Sequence, residues 1–379
     1  MLQLPPLSLY VHIPWCVKKC PYCDFNSHEN ADKIPENAYL EALFQDLEHD
    51  LPWAQGRKLH SIFFGGGTPS LFSARAIEKI IHRAETTIGF EDEIEITLEA
   101  NPGTAEQQKF SNFNSAGVNR LSIGVQSFNN THLKALGRIH DGDNALRAIE
   151  MAHNSGFERF NIDLMHGLPK QSRAEAINDL EIAINTGASH ISWYQLTIEP
   201  NTTFYSKPPI LPMEDQLAEI QDLGQQTLID AGFDQYEISA FARDAEHCKH
   251  NINYWQFGDY IGIGAGAHGK ISLPEQNKII RPVKTRQPKH YLNHEITVLA
   301  SSKPIAADQL TLEFMMNGLR LKSGIDKDFF ANRTGLSPDD IEPIIAQLQH
   351  EGFLKNHRSN YCTTDLGARF LDNILQRFS

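Results

Sequence analysis

Three cysteines near the amino terminus have the spacing of a metal-binding loop. Cys16, Cys20 and Cys23 lie in the stretch YVHIPWCVKKCPYCDF, while Cys248 and Cys362 are distant and isolated. Thiolates are good ligands for iron and zinc. In a chain with no recognisable secretory signal, such a cluster indicates metal binding rather than disulfides.

The number of cysteines separates two kinds of metal site. A structural zinc site takes four protein ligands, and no second local pair completes one here. A cluster with four irons normally takes four cysteines. Three cysteines leave one iron with an open position, which can hold a substrate. We therefore expect a [4Fe–4S] cluster on these three cysteines; the alternative is three thiols without a metal.

The composition is that of an ordinary globular protein. The 379 residues are 41% hydrophobic and 21% charged, and this length predicts a large domain plus a smaller one. With 34 Lys and Arg against 47 Asp and Glu, the net charge is −13, which disfavours a protein that wraps nucleic acid. We find no apolar run long enough to cross a bilayer and no signal sequence. We therefore expect a cytoplasmic protein.

The elements that must position the cysteines alternate between strands and helices. Strands are predicted at 7–14, 61–66, 93–100, 120–127, 159–167 and 190–199, with a weaker seventh at 236–241. This alternation predicts an α/β fold, a partial or complete TIM-like (β/α) barrel over residues 1–245. A segment rich in Gly and aromatic residues without a clear periodicity follows at 246–304.

The pattern at 305–379 predicts a small, mostly helical module that resembles a winged helix. From residue 325 onward it has six Lys and Arg against eight Asp and Glu. A DNA-binding module is expected to be basic. We therefore expect a structural or substrate-covering role, rather than a DNA-binding or redox-sensing one.

Polar side chains cluster at the carboxyl ends of the predicted strands. The three cysteines follow the first strand, GGGTP (65–69) ends the second, Glu99 ends the third, Gln126 ends the fourth, and Asp163 lies in the fifth. Barrel enzymes place their sites at that face. Glu99 could instead cap a helix and Asp163 could pair with a lysine. A strand carboxylate is seldom buried without a partner, and we favour ligand contact because both residues lie on the predicted site face.

The cysteine spacing resembles that of the radical S-adenosylmethionine (SAM) superfamily. Tyr22, just before the third cysteine, and the glycines 65–67 after the second strand fit the same pattern. In that superfamily the amino and carboxylate groups of SAM bind the fourth iron, and an electron from the cluster cleaves SAM to a 5′-deoxyadenosyl radical. The resemblance implies a [4Fe–4S] cluster and SAM as cofactors, with glycines that let backbone approach SAM.

Longer motifs resemble the oxygen-independent coproporphyrinogen III dehydrogenase family. They are LYVHIPWC, FFGGGTPS, EANPGT, GVNRLSIGVQSFN, LGRIH and FNIDLMHGLPKQS. The resemblance implies SAM contacts from Tyr10, Tyr22, Gly66, Gly67, Thr68 and Glu99, and contacts at a second SAM position from Gln126, Arg138 and Asp163. As alternatives, Tyr10 is a core aromatic and Arg138 is a solvated helix residue.

Two departures separate this chain from that dehydrogenase. Phe25 stands where the dehydrogenase has a further cysteine, and only 15 residues precede Cys16, where the dehydrogenase has a longer arm. Three cysteines suffice for the cluster, so its binding is not in question. The departures argue against decarboxylation of coproporphyrinogen III.

The stretch HNINYW (250–255) resembles a haem-binding signature in the haem-chaperone branch of the same family. Members of that branch bind haem and pass it to haem proteins, notably respiratory ones. Histidine is a common haem ligand, and Tyr254 and Trp255 could pack on a flat macrocycle. His250 is therefore the first candidate ligand, Cys248 the second and His268 the third. The alternative for His250 is a buried structural histidine.

The sequence thus predicts a haem chaperone on a radical SAM scaffold, with haem and recipient haem proteins as partners and no nucleic acid. The alternative is a radical SAM enzyme that acts on a tetrapyrrole. The sequence leaves open whether SAM is cleaved, whether one or two SAM molecules bind, the oligomeric state and peripheral membrane contact.

Overall fold

The fold is described from a computed structural model, which describes residues 1–29, 34–104, 107–293 and 298–378. The strands are β1 Leu7–Ile13, β2 Trp15–Cys16, β3 His28–Glu29, β4 Leu59–Gly66, β5 Phe90–Ala100, β6 Arg120–Gln126, β7 Phe160–His166, β8 His190–Gln195, β9 Asp234–Glu237, β10 Ala240–Ala242, β11 Asp259–Ile263, β12 Ile271–Leu273, β13 Lys278–Lys284, β14 Leu299–Pro304, β15 Ile325–Asp326 and β16 Asn360–Tyr361. The helices are α1 Glu36–Asp50, α2 Ala74–Thr87, α3 Gln107–Ser115, α4 Asn130–Ala135, α5 Gly142–Asn154, α6 Arg173–Asn185, α7 Thr203–Ser206, α8 Glu214–Asp230, α9 Lys249–Trp255, α10 Pro288–Tyr291, α11 Ala307–Gly318, α12 Asp328–Thr334, α13 Glu342–His350, α14 Asp365–Arg369 and α15 Leu371–Leu375.

One large sheet forms the centre of the protein. Among the described residues it contains nine strands in the order β11-β1-β4-β5-β6-β7-β8-β10-β9. The strands from β11 to β8 run parallel, and β10 and β9 add an antiparallel edge. The predicted (β/α) barrel type of fold is confirmed. The weak seventh strand is split into β9 and β10.

The central strands are apolar because both of their faces are covered. β1, with the sequence LSLYVHI, is buried along nearly its whole length, as parallel strands between helices generally are. The covering helices are amphipathic: α2 buries Ala76, Ile77, Ile80, Ile81 and Ala84, which lie on one face at helical spacing. Its N-cap, Ser73, accepts a hydrogen bond from the amide of Ala76, which satisfies one free donor of the first turn.

The structure extends the sheet beyond residue 245, where the sequence placed the end of the barrel. β11 pairs with β1 in parallel, so the 246–304 segment supplies an edge strand. Its glycines concealed the strand pattern, and they have a packing role. A Cβ at Gly262 would lie 2.0 Å from the carbonyl oxygen of His268, so glycine lets the 264–270 loop fold back onto β11.

The C-terminal module has a small core of its own. Helices α11 to α15 and the β15–β16 pair surround apolar side chains that include Phe314, Phe330 and Ile345. Phe257, just after α9, joins this core and packs edge-on against Phe314. Within the described part of the chain, the helices lack the length and apolar character that a membrane crossing requires.

Candidate functional site

A cavity of about 540 Å³ opens at the carboxyl ends of the parallel strands. It collects most of the residues predicted to form the site. The predicted residues that line it are Cys16, Cys20, Cys23, Tyr22, Gly66, Gly67, Thr68, Glu99, Gln126, Arg138 and Asp163. The cavity therefore lies where the barrel-end rule expects a site, and its use as a cofactor site stays a prediction.

The cysteine loop, residues 16–27, forms one wall of this cavity. All three of its cysteines are free thiols and half-buried. Lys19 holds the loop closed, because its Nζ donates to the carbonyl oxygens of Phe25 at 3.0 Å and Ser27 at 3.3 Å. The loop is thus held in place, and all three of its cysteines line the cavity.

The thiol chemistry of the loop fits a bound iron–sulfur cluster. Burial raises the pKa of the Cys16 and Cys23 thiols above the usual value, and hydrogen bonds to Ser27 oppose this shift. Cysteine binds iron as the thiolate, so metal binding is coupled to loss of these protons. Three cysteines on the cavity wall and the absence of a fourth cysteine in the loop match a cluster with one open iron.

The glycines after β4 are required by the chain itself. A Cβ on Gly67 would lie 2.4 Å from the carbonyl oxygen of Trp15, and Gly66 has a φ of +111° with His12 in contact. The amide of Gly67 donates to Ile13 at 2.7 Å. Close approach of this turn to β1 therefore explains the glycines, in addition to the cofactor contact expected from the sequence.

Two carboxylates face the cavity from neighbouring parts of the sheet. Glu99 accepts a hydrogen bond from the amide of Gly66 at 3.3 Å, and Asp163 accepts from Ser122 and Asn161 at 2.8 Å. Burial, with the Asp163 charge second, raises the pKa of Glu99 to about 8; burial also raises the pKa of Asp163. Two such acids favour a cationic ligand, which stabilises their charged forms.

Arg138 faces the same cavity and does not lie on a solvated helix face. Its Nη1 lies 3.7 Å from Sγ of Cys20, and its Nη2 donates to the carbonyl oxygen of Gly124 at 2.6 Å. Its Nε is buried and has no hydrogen-bond partner within the described residues. A buried donor of this kind calls for an acceptor, and a carboxylate is the strongest match for a guanidinium.

The structure adds residues that the motifs did not reveal. Tyr194 lines the cavity and donates its hydroxyl proton to Oε1 of Gln126 at 2.8 Å, and Ser122 holds Asp163. Side chains alternate across a strand, so residues two apart share a face. Ser122 lies four residues before Gln126 on β6, so strand alternation places both side chains on the same face and could have predicted Ser122 from the sequence.

Tyr10 lies beneath the cavity rather than in its wall. Its hydroxyl bonds to Nδ1 of His12 at 2.9 Å, and Nε2 of His12 bonds to the carbonyl oxygen of Asn26 at 2.9 Å. Burial lowers the pKa of His12 to about 4, so this imidazole is neutral at neutral pH. Tyr10 therefore supports the cysteine loop through His12, and a direct SAM contact from it stays a prediction.

The HNINYW stretch lies at the opposite end of the sheet, on α9. His250 is 1% exposed. Its Nδ1 bonds to the hydroxyl of Ser61 at 2.9 Å and its Nε2 to the hydroxyl of Tyr254 at 3.0 Å. Burial lowers the pKa of His250 to about 3. Both ring nitrogens are therefore paired with protein groups in this conformation, and a haem-ligand role for His250 stays a prediction.

His250 belongs to a closed set of hydrogen bonds, the base network, made of Ser8, Ser61, His250 and Asn253. Ser8 and Ser61 share a hydrogen bond of 2.8 Å, and Nδ2 of Asn253 donates to Ser8 at 2.9 Å. The network fastens α9 to the amino-terminal ends of β1 and β4. Its partners are all protein groups.

The rest of the stretch is also used in packing. Trp255 lies under the guanidinium of Arg320 from the C-terminal module, 4.3 Å from the ring centre. Tyr254 packs edge-on against Tyr260 at 4.4 Å. Cys248 is 4% exposed with its sulfur 3.5 Å from Glu95. Tyr254 and Trp255 thus pack against protein groups, and their stacking on a macrocycle stays a prediction.

Comparison with known proteins agrees with this geometry. The family model for the radical SAM superfamily matches residues 10–183, and the model for the HemN C-terminal domain matches residues 305–370. The chain is 47% identical to "Heme chaperone HemW" of Escherichia coli and 49% identical to the protein of the same name in Haemophilus influenzae, covering 100% of this chain and 99% of each relative. The chain belongs to the HemW family.

The fold has a solved counterpart. The structure of coproporphyrinogen III oxidase (HemN) from Escherichia coli, a radical SAM enzyme, superposes with a TM-score of 0.82 at 24% sequence identity. The match covers 99% of this chain and 90% of the other. It shows a shared fold over nearly the whole chain.

Proposed function

We propose that this protein is a haem chaperone, which binds haem and delivers it to haem proteins from a [4Fe–4S]- and SAM-binding scaffold. The observation that carries the proposal is identity of 47–49% over the full chain to two proteins named for that function. Phe25 supports it: this side chain is 59% exposed at the cavity, where the related dehydrogenase has a cysteine.

Different cavity residues hold the cluster and SAM. Cys16, Cys20 and Cys23 hold the cluster, which when bound supplies the open iron and the electron for SAM chemistry. Glu99 and Asp163 favour the positive charge of SAM, and the free N–H of Arg138 favours its carboxylate. Gln126, fixed by Tyr194, adds an amide at the same wall.

We also place the protein in the cytoplasm. We keep the division at 1–245, 246–304 and 305–379 as a proposal, with β11 of the middle segment completing the sheet of the first. The five cysteines are free thiols, as in proteins of reducing compartments. The acidic chain supports haem and protein partners rather than nucleic acid.

Haem transfer tests the proposal directly. The cluster is reconstituted without oxygen, haem is titrated, and the loaded protein is mixed with an apo-cytochrome whose absorbance reports haem arrival. We expect stoichiometric binding and transfer faster than from haem in buffer. Absence of stoichiometric binding, or transfer no faster than the buffer control, contradicts the proposal.

The second candidate is a radical SAM enzyme that acts on a tetrapyrrole. The complete set of cavity residues favours it, since all the acidic and basic side chains expected at SAM are present. The test supplies coproporphyrinogen III, SAM and a reductant, with a known dehydrogenase as control. We expect no protoporphyrinogen; turnover coupled to 5′-deoxyadenosine would establish the enzyme and make Phe25 a neutral variation.

A further inference from the structure

The three candidate haem ligands differ in their access to solvent. His250 is 1% exposed and Cys248 is 4% exposed. His268 is exposed, on the loop that connects β11 to β12. Within the described residues its imidazole makes no side-chain hydrogen bond, whereas both ring nitrogens of His250 are paired. Of these three, His268 alone presents a ligand atom in this conformation.

The backbone around His268 is held firmly. The amide of Gly269 donates to the carbonyl oxygen of Pro282 at 2.8 Å, and the amide of Lys270 donates to Tyr260 at 3.0 Å. His268 also forms a bridge to Val283. An exposed side chain on a fixed backbone suits a ligand site, because little ordering is required on binding.

The charges around His268 match an anionic metalloporphyrin. Burial, with the charges of Arg281 and Arg286 next, lowers the pKa of His268, and the neutral imidazole is the form that ligates metals. Arg281 already bonds Tyr260 and Glu313. Arg286 is exposed and has no ion pair among the described residues. Its guanidinium is free to bind a carboxylate.

This edge of the protein adjoins the cysteine loop. Nδ2 of Asn26 donates to the carbonyl oxygens of Ala265 at 2.8 Å and Arg286 at 2.9 Å. Asn26 is three residues beyond Cys23 and follows Phe25, whose ring is exposed. The His268 loop and the cluster loop therefore share a direct connection.

We propose that His268 is the iron ligand of the haem site and that Arg286 pairs with a haem propionate. This inference rests on the proposed haem-binding function and assigns its site. It moves the haem from the HNINYW stretch to the opposite end of the sheet, beside the cysteine loop. The base network then has a structural role.

The experiment uses the full chain with its cluster reconstituted and two probes, haem and metal-free protoporphyrin. The variants are His268→Ala, His268→Met and Arg286→Gln. Matched controls are His82→Ala and Arg75→Gln, exposed residues of the same types on α2. Affinity is followed by absorbance titration and the iron ligand by electron paramagnetic resonance. Iron content and thermal unfolding verify each variant.

We expect His268→Ala to weaken haem at least about tenfold, which corresponds to about 1.4 kcal/mol, while metal-free protoporphyrin binds as before. His268→Met retains haem with a changed spectrum, since Met also ligates haem iron; this variant carries the test if the alanine variant does not fold. Arg286→Gln weakens both probes, and the α2 controls weaken neither.

Three results overturn the inference in distinguishable ways. If the unaltered protein binds haem and the His268 variants keep its affinity and spectrum, His268 is not the ligand and the proposed function stands. If the unaltered protein binds no haem, the proposed function and this inference fail together. Equal weakening of haem and metal-free protoporphyrin by His268→Ala would also reject iron ligation.

Discussion

The cavity and the base network use similar polar residues at opposite ends of the same sheet, yet they differ in how their hydrogen bonds are completed. At the base, His250 has protein partners on both ring nitrogens. At the cavity, Arg138 retains a buried N–H without a partner among the described residues, and burial raises the pKa of Glu99 to about 8. A buried network that closes on itself contributes to stability, whereas an open one indicates a ligand.

The largest expected effect is at the cysteine loop. Cys20→Ala removes one of the three cluster ligands, so iron and sulfide content should fall to background after reconstitution. The buried Cys362→Ala is the control, because its sulfur faces the carbonyl oxygen of Lys322 in the C-terminal module. Retention of a full cluster in Cys20→Ala would contradict the assignment of the cavity as the open site.

The next effect tests the closed network. His250→Ala leaves Ser61 and Tyr254 without their shared partner, and we expect a loss of about 2–4 kcal/mol in the free energy of unfolding. Urea denaturation measures it, with the exposed His82→Ala expected to change stability by less than about 0.5 kcal/mol. If His250→Ala keeps the stability of the unaltered protein but no longer binds haem, His250 is a haem ligand and the base network is not a purely structural feature.

A smaller effect is expected at Arg138. Arg138→Gln removes a charge-assisted hydrogen bond of about 1.5 kcal/mol, so the Kd for SAM should rise about tenfold. The midpoint potential of the cluster should fall, because hydrogen bonds to cysteine sulfur stabilise the reduced cluster. Arg147→Gln, exposed on α5, is the control. An unchanged potential would show that the contact to Cys20 has no electronic role.

The last expected effect depends on pH and concerns Glu99. Its folded pKa is about 8, above the unfolded value of about 4.3, so the folded state binds the extra proton. At a pH below the unfolded pKa the carboxyl is protonated in both states and does not change the free energy of unfolding. Between the unfolded pKa and pH 8 the free energy of unfolding falls as pH rises, because the folded state keeps a proton that the unfolded state releases. Glu99→Gln should therefore stabilise the apoprotein in that window and weaken SAM binding.

Thermal unfolding from pH 4 to 8 measures the Glu99 effect, with the exposed Glu78→Gln on α2 as control. The stabilisation by Glu99→Gln should increase with pH and disappear at pH 4. A pH-independent difference would mean that this carboxyl is not desolvated in the folded protein, and that the cavity is less open to a cationic ligand than the comparison requires.

Sequence reasoning was most successful where local pattern and general topology agree. Six of the seven parallel strands in the described sheet were visible as apolar runs, and the barrel-end rule then gathered Glu99, Gln126 and Asp163 around the cysteines. Strand parity would have added Ser122. These inferences need no knowledge of distant contacts. The strands are confirmed and the named residues line one cavity, while their contacts with SAM stay predictions.

It was least successful where long-range packing decides the outcome. The burial of His250 depends on Ser61 and Ser8, which are remote in sequence. β11 was not predicted because Gly262 interrupts its apolar strand pattern. This glycine is required by its close contact with the carbonyl oxygen of His268. The direction of the Arg138 side chain likewise depends on Cys20 and Gly124. A short motif gives the residue types but not which end of the sheet they occupy.

The pairing of β1 with β11 has a consequence for biosynthesis. Leu7 pairs with Asp259, and a ribosome needs roughly 10–50 s to synthesise the chain between them. Contacts this far apart in sequence form late in folding. Asn26 in the cysteine loop likewise forms its hydrogen bonds to the carbonyl oxygens of Ala265 and Arg286 only after those residues have been synthesised. The nascent chain therefore carries three unsupported thiols for that time, and delivery of iron and sulfide is expected to follow translation of this edge.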